Sequence, residues 1–444
     1  MEPLNIQANQ LILLRLPSQN IKVVKVEPGS IISLGKFGSF RADDIIGDPF
    51  GFTYEIDSGM KLSLVDNTIE FDEDDQMGAE QAMTGHKITA TGMQQLTSEE
   101  IEALKSQGVS GAEIIAKVME GHAAFEHKTE YSKEKYLKRK KQKFLQQFTP
   151  YAIGSTELID IYLDKDPTRI YNLSPETLAL ALNMGNIRPG GNYLVVDETP
   201  GVLVAAILER IGGEGTITLV HENEHPNLDC LKYLVLSEEE RERMIKTINW
   251  LELFHPEESE PVRTKTAEEL EDLKPSHRRQ YYRAKQREEN HKEILKRADT
   301  CGFDALMVMT LLDLPTLIPQ LLRFVGGSRP IVLYSEFKEV LVETTLALQK
   351  ENRVLAPTIM ETRVRKYQTL PGRIHPLMTS RGYGGYLLSA LRVHPNRAVN
   401  AVGKISNRRK KAKTTASATP TPEPAQIAPV DGQEISPDTP AIDA

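Results

Sequence analysis

The sequence predicts an α+β multidomain protein, a small N-terminal β-barrel followed by a C-terminal doubly wound α/β domain. Three observations predict it. Short apolar runs broken by turn residues fill positions 1–75, a strand-helix-strand pattern occupies 192–222, and strand and helix alternate again from 306 to 393. At 444 residues the chain is long enough for two or three such domains.

In the first region, 11–16, 21–26, 30–34, 51–56 and 61–65 have strand character, separated by Pro17-Ser18, Pro28-Gly29 and Ser58-Gly59. Five short strands at this spacing suggest closure into a barrel over 1–75. The acidic stretch Glu70 to Asp75 that ends it reads as a solvated linker rather than a metal site. A linker with helices is expected over 76–150. Thr97-Ser98-Glu99-Glu100 and Ser110-Gly111-Ala112-Glu113 have the form of capping boxes, with Gly108 as a stop between them. A helix over 132–145 follows.

The α/β domain is expected over 151–402. Ser174-Pro175-Glu176 opens a helix with a capping serine and a proline in the first turn. Tyr193 to Val196 reads as a buried strand ending in Asp197-Glu198. A helix follows over about 201–211 and stops at Gly212-Gly213, and a second strand, Thr216 to Val220, ends in His221-Glu222. A βαβ unit of this kind holds dinucleotides or S-adenosylmethionine at its first turn, where several glycines let the backbone approach the ligand. Here the turn reads Asp197-Glu198-Thr199-Pro200-Gly201-Val202-Leu203. One glycine remains, Pro200 removes an N–H, and Val202 and Leu203 place branched bulk where a ligand would lie. The expectation is a Rossmann-like domain, a degenerate class I methyltransferase, that keeps its fold and binds no cofactor. A charged insertion is expected at about 237–297, and it contains Arg278-Arg279-Gln280-Tyr281-Tyr282-Arg283-Ala284-Lys285. Strands at 306–309, 331–334 and 386–393 and helices at 316–324 and 337–350 complete the domain. The tail at 403–444 is basic and then rich in Pro, Thr and Ala, and is expected to be disordered.

Composition excludes several classes. No apolar run approaches the roughly 18 residues of a membrane span, and the N-terminus has neither the basic nor the apolar region of a secretory signal. Cys230 and Cys301 stand alone, which argues against a disulfide framework or zinc site and for a reducing, intracellular compartment. The histidines lack ligand spacing, and no nucleophilic triad is readable. The formal charge is −8, an average that hides local clusters.

Lys128 to Lys143 holds eight basic and two acidic residues. Tyr136, Leu137, Phe144, Leu145 and Phe148 could form a narrow packing stripe, leaving the cations around the rest of the helix. Such a cluster releases counterions on binding phosphate, so it points to nucleic acid; the alternative is a solvated charged face. Residues 367–376 read as a loop with two prolines carrying Gln368, Arg373 and His375; Arg, His and an exposed Tyr, here Tyr367, are side chains able to stack on bases or grip phosphate. Asp313, in Leu312-Asp313-Leu314-Pro315, is either a base-binding carboxylate or a helix cap.

Several segments carry a resemblance to a known family. They are Leu34 to Phe40, Lys128 to Tyr136, Asn186 to Asn192 (Asn-Ile-Arg-Pro-Gly-Gly-Asn), Leu370 to Pro376 (Leu-Pro-Gly-Arg-Ile-His-Pro) and Gly384 to Ser389. In these the chain resembles the non-catalytic, RNA-binding subunit of the eukaryotic tRNA (adenine-58-N1)-methyltransferase, the Gcd10p family. The resemblance implies a tRNA partner and a homologous catalytic subunit that binds S-adenosylmethionine. It further implies a heterotetramer with two copies of each subunit, and a nuclear location that fits the basic tail. It assigns tRNA contact to Lys135, Tyr136, Lys138, Arg139, Lys140, Lys141, Lys143 and Phe144. A second group is Lys165, Arg169 and Asn172, and a third is Gln368, Leu370, Pro371, Arg373 and His375. Thr199 and Leu203 stand where the catalytic sister has glycines, whereas Asp313-Leu314-Pro315 resembles that sister's active-site motif. Two alternatives remain open at this point, an active methyltransferase and a translation-initiation factor.

Overall fold

The computed structural model describes residues 5–18, 20–57, 59–65, 100, 104, 109, 111–120, 130–259, 261–271, 273–350, 352–370, 373–378 and 384–394. The acidic stretch at 70–75, the first capping box up to Ser98 and Glu99, Gly108, Ser110, Pro371 and the tail lie outside the described residues.

The N-terminal strands are β1 (Leu11–Arg15), β2 (Ile21–Lys25), β3 (Ile31–Ser33), β4 (Ser39–Arg41), β5 (Tyr54–Ile56) and β6 (Leu62–Leu64). Helices α1 (Gly111–Glu120) and α2 (Glu130–Phe144) follow, and then β7 (Gln147–Tyr151). The antiparallel sheet runs β2-β1-β7-β5-β6. Closure into the expected barrel is not seen: among the described residues the strands form an open sheet. Among the described residues, β3 and β4 form a two-stranded ladder of their own, so the five-stranded ladder has edges at β2 and β6. β7 is a second correction. It falls in the stretch expected to be linker and helices, yet it sits in the middle of the sheet, between β1 and β5. Its polar Gln147 and Thr149 and its Pro150 mask the strand pattern, and all three are buried by their neighbours. Alternation along β1 sends Ile12 and Leu14 into the N-terminal core, where Phe40 stacks on Phe148 at 4.3 Å, while Leu13 faces the main core.

The larger sheet has seven strands in the order β10-β9-β8-β11-β12-β16-β13. These are β8 (Asn192–Asp197), β9 (Thr216–His221), β10 (Ile245–Asn249), β11 (Ala305–Met309), β12 (Pro330–Ser335), β13 (Val354–Glu361) and β16 (Tyr386–Arg392). β8 to β12 are parallel and β16 runs antiparallel between β12 and β13. β14 (Tyr367–Leu370) and β15 (Arg373–Pro376) form a separate hairpin. Along β8, Tyr193 and Val195 face one core, and Leu194 and Val196 the other, as expected of a parallel strand covered on both sides. Helices α3 (Ser155–Lys165), α4 (Pro175–Met184) and α5 (Val202–Ile211) pack on the first face. The remaining helices are α6 (Glu238–Met244), α7 (Trp250–Phe254), α8 (Ala267–Glu271), α9 (Pro275–Asp299), α10 (Leu314–Leu321) and α11 (Lys338–Lys350). Of these, α7, α9, α10 and α11 contribute to the second face.

Three further differences have local causes. The expected insertion contains β10, an edge strand whose Lys246 and Asn249 hide its apolar face, and the end of α9, whose Ile294 and Ala298 enter the core. β13 is hard to read from residue order because Pro357 lies in a bulge between Leu355 and Thr358 on the outermost strand. The expected loop at 367–376 is the β14-β15 hairpin, with Pro376 at its strand end.

Candidate nucleic-acid interface

Helix α2 packs against α1 through Ile114, Ile115, Val118, Phe144 and Leu145, with Tyr136 and Leu137 partly buried beside them. Burial raises the pKa of the Tyr136 phenol above its ordinary value, so the ring is a neutral packing group. Arg139, Lys141 and Lys143 are exposed. Lys140 departs from the expected arrangement. Its ammonium lies 5.1 Å from the centre of the Tyr136 ring and 5.5 Å from that of Phe144, so its stem covers the aromatic stripe. Lys143 sits 5.4 Å from the Phe144 ring. The backbone places Lys135 and Lys138 on the same helix. From Lys135 to Lys143 the sequence has six cations and no acid. Lys141 and Lys143 fall in the last turn, where they also complement the helix dipole.

The second expected group lies elsewhere, at the carboxyl edge of the large sheet. Lys165 ends α3, and a 3₁₀ turn, Pro167–Ile170, leads to Tyr171 and Asn172, both with φ of 52°. Asn172 donates to Glu336 Oε1 at 2.7 Å, and the Tyr334 hydroxyl donates to Tyr171 O at 2.6 Å, so the turn is tied to the end of β12. Arg169 is held loosely. Its guanidinium is 3.9 Å from Asp229 and 5.7 Å from the Tyr162 ring, and the side chain is half exposed.

The third group is on the β14-β15 hairpin. Its strands carry Gln368, Leu370, Arg373 and His375, with Tyr367, Ile374 and His375 exposed. The His375 imidazole hydrogen-bonds to Pro376 O at 3.0 Å. Thr362, after β13, hydrogen-bonds Thr177 and so fixes the approach to the hairpin against α4. The structure thus places the expected residues on three elements: a helical pair, the carboxyl edge of the sheet, and a hairpin beyond β13.

The first turn of the βαβ unit sits where a nucleotide would bind, and it is closed. Thr199, Pro200, Gly201, Val202 and Leu203 are all buried. Asp197 Oδ1 accepts from Thr199 N at 3.0 Å and from Thr199 Oγ1 at 2.6 Å, and Oδ2 accepts from Val204 N at 3.1 Å. Val202 N donates to Thr199 Oγ1 at 3.1 Å. The N–H groups of Thr199, Val202 and Val204 are therefore used internally rather than offered to a ligand. Residues 227–230 lie over the turn. Cys230 N donates to Pro200 O at 2.9 Å, and a side chain added at Gly201, where φ is 93°, would meet Leu228. Burial pushes the Asp197 carboxyl up to about 6, against the hydrogen bonds that lower it. Residue order shows the Asp197-Glu198 pair but not this role of Asp197 as an internal partner for the helix start.

Neighbouring groups are equally engaged. Glu198 Oε2 accepts from Thr310 Oγ1 at 2.6 Å and from Leu311 N at 3.0 Å. His221 ends β9, where a nucleotide site of this fold carries an acid for the ribose hydroxyls. Burial lowers its pKa, and its Nδ1 donates to Asn223 O at 2.7 Å. Asp313 caps α10, with Oδ2 accepting from Thr316 N at 3.2 Å, on the rim of a shallow groove with Trp250, Phe254 and Leu317. The residues present do not fit S-adenosylmethionine or a dinucleotide at the first turn. Among the described residues, no cluster of His, Cys, Asp and Glu could hold a metal, and no helix is long and apolar enough to cross a membrane.

The sequence profile described as the Gcd10p family matches residues 5–277. A protein of Debaryomyces hansenii named as the tRNA (adenine(58)-N(1))-methyltransferase non-catalytic subunit is 44% identical over 430 residues, 92% of this chain and 91% of its own. The protein of the same name from Schizosaccharomyces pombe is 32% identical over 92% of this chain and 96% of its own. Among solved structures, a SAM-dependent O-methyltransferase from Thermotoga maritima is 12% identical, with a TM-score of 0.48 over 89% of this chain and 97% of its own.

Proposed function

Because the chain belongs to the Gcd10p family, we propose that it is the non-catalytic, tRNA-binding subunit of a tRNA (adenine-58-N1)-methyltransferase. In this reading it is needed for 1-methyladenosine formation by a homologous partner that binds S-adenosylmethionine. Two copies of each subunit form a heterotetramer, and the complex works in the nucleus. The observation that carries the non-catalytic part is the closed first turn, where buried Asp197 takes the N–H groups of Thr199 and Val204 and residues 227–230 cover Pro200 and Gly201. Methyl transfer needs a donor held beside the base, and this turn is buried, with the N–H groups of Thr199, Val202 and Val204 already engaged.

The tRNA contacts proposed for the chain are the cations of α2, with Tyr136 and Phe144 as their packing base. Lys165, Arg169 and Asn172 at the sheet edge and Gln368, Leu370, Pro371, Arg373 and His375 of the hairpin region complete them. Cations spread over separate elements suit a large, folded polyanion better than a small ligand.

The test is calorimetric titration of S-adenosylmethionine into the purified chain, paired with a methylation assay on tRNA. No binding isotherm and no activity are expected from the chain alone, with activity appearing when the catalytic partner is added. A one-site micromolar isotherm would overturn the reading.

A further inference from the structure

Helix α9 has two halves of different character. In the C-terminal half, charges compensate along the helix: Lys292 pairs with Glu288 at 2.6 Å and Arg297 with Glu293 at 3.0 Å. The same half is anchored by Ile294 and Ala298 in the core. From Pro275 to Arg287 there are four arginines, a lysine and a histidine, and no acid. One of these arginines is structural. Arg278 donates to Leu270 O at 2.9 Å and to Glu271 O at 3.1 Å, closing the end of α8. Tyr281 is buried, and its hydroxyl accepts from Lys265 N at 3.1 Å.

The rest of this half faces outward. Arg279, Tyr282, Arg283 and Gln286 recur at steps of three and one, which puts them on one face of the helix, and all are exposed. Arg287 is exposed at the flank of that face. Arg279, Arg283 and Arg287 are spaced about 6 Å apart along the axis. Among the described residues, none of the three forms an ion pair. Tyr282 is 54% exposed yet positioned, its ring set edge-on against Tyr281 at 5.7 Å. In a chain with a formal charge of −8, a helix anchored in both halves thus holds three guanidinium groups, without an ion pair among the described residues, beside a fixed aromatic ring. Guanidinium forks match phosphate oxygens, and an aromatic ring among them offers a stacking platform for a base.

We propose that the N-terminal half of α9 is a further RNA-binding face, on which Arg279, Arg283 and Arg287 take backbone phosphates and Tyr282 stacks on an unpaired base. It rests on the tRNA reading above only for the identity of the RNA.

The experiment measures tRNA binding by fluorescence anisotropy between about 50 and 200 mM salt, using the full chain together with any subunit that accompanies it. The Arg279→Ala/Arg283→Ala/Arg287→Ala variant is expected to lower the slope of log K against log salt by roughly 2 to 2.7, since each neutralised phosphate contributes about 0.7 to 0.9. The corresponding triple lysine variant keeps the charge and is expected to keep the slope, which separates loss of charge from misfolding. Tyr282→Leu should weaken binding about tenfold without changing the slope. A wild-type slope in the alanine variant, while alanines in α2 do lower it, overturns this proposal and leaves the tRNA reading standing. Absence of salt-sensitive tRNA binding in the wild type overturns both. Loss of retention on polyglutamate with unchanged RNA binding also overturns it, in favour of an acidic protein partner.

Discussion

At Asp197 a carboxylate at the end of a parallel strand does for the helix start what a bound ligand would otherwise do, and its burial has a consequence in pH. The carboxyl is raised from the ordinary 3.8 to about 6. The folded state therefore holds a proton over a range in which the unfolded chain has released it. Stability falls as pH rises from about 4 to about 6, and the contribution is level above that. Across the window the decrease amounts to up to roughly 3 kcal/mol. Asp197→Asn cannot titrate, so urea unfolding of wild type and variant should show a stability difference that shifts against the wild type as pH rises through the window. A difference independent of pH would mean that the carboxyl ionises normally. The sequence shows an acidic pair after a strand, but not which donors it meets, because Thr199 and Val204 reach it only through the shape of the turn. Asp313 shows the reverse: of the two roles open to it, the structure shows the helix cap, a local feature.

Among the elements, α2 is legible as a helix and as a basic one, since both follow from local residue order. Its packing is only partly legible. As a cation Lys140 reads with the solvated group, but it stands four residues from both Tyr136 and Phe144 and covers their rings, so its removal would disturb packing as well as charge. The cleaner variant replaces Lys138, Arg139 and Lys141 with Ala. It should keep the wild-type circular dichroism and lower the salt slope of tRNA binding by roughly 0.7 to 0.9 for each phosphate left without its cation, to similar extents on all tRNAs. An unchanged slope would identify the run as a solvated face. The β14-β15 hairpin reads as a loop in the sequence because Pro371 and Pro376 are poor strand formers; in the structure Pro376 is tolerated as the last residue of a strand in a two-stranded ladder.

For the whole molecule, β13 is the outermost strand at one end of the large sheet among the described residues. Exposed apolar side chains occur on this strand, on the hairpin and just after it, with Leu355 at 59%, Ile374 at 72% and Met378 at 87% exposure. If the chain assembles with a homologous subunit as proposed, this edge is suited to the contact. Light scattering should give a hetero-oligomer for the co-purified subunits, and Leu355→Lys with Ile374→Lys should reduce the mass toward that of the separate chains. An unchanged mass would place the subunit interface elsewhere. Residue order is enough to read the βαβ unit, the basic helix, the missing glycines and the family, because each depends on neighbours within a turn or two, or on motifs written contiguously. It is not enough to show the N-terminal sheet open, to place β7 between β1 and β5, or to bring β10 into the seven-stranded sheet. Those outcomes rest on hydrogen bonds between segments far apart in the chain, such as Leu13 to Arg15 with Thr149 to Tyr151. The closed turn is of the same kind: Thr199 and Gly201 can be read in place, but the cover that residues 227–230 lay over them exists only once the chain has folded back on itself.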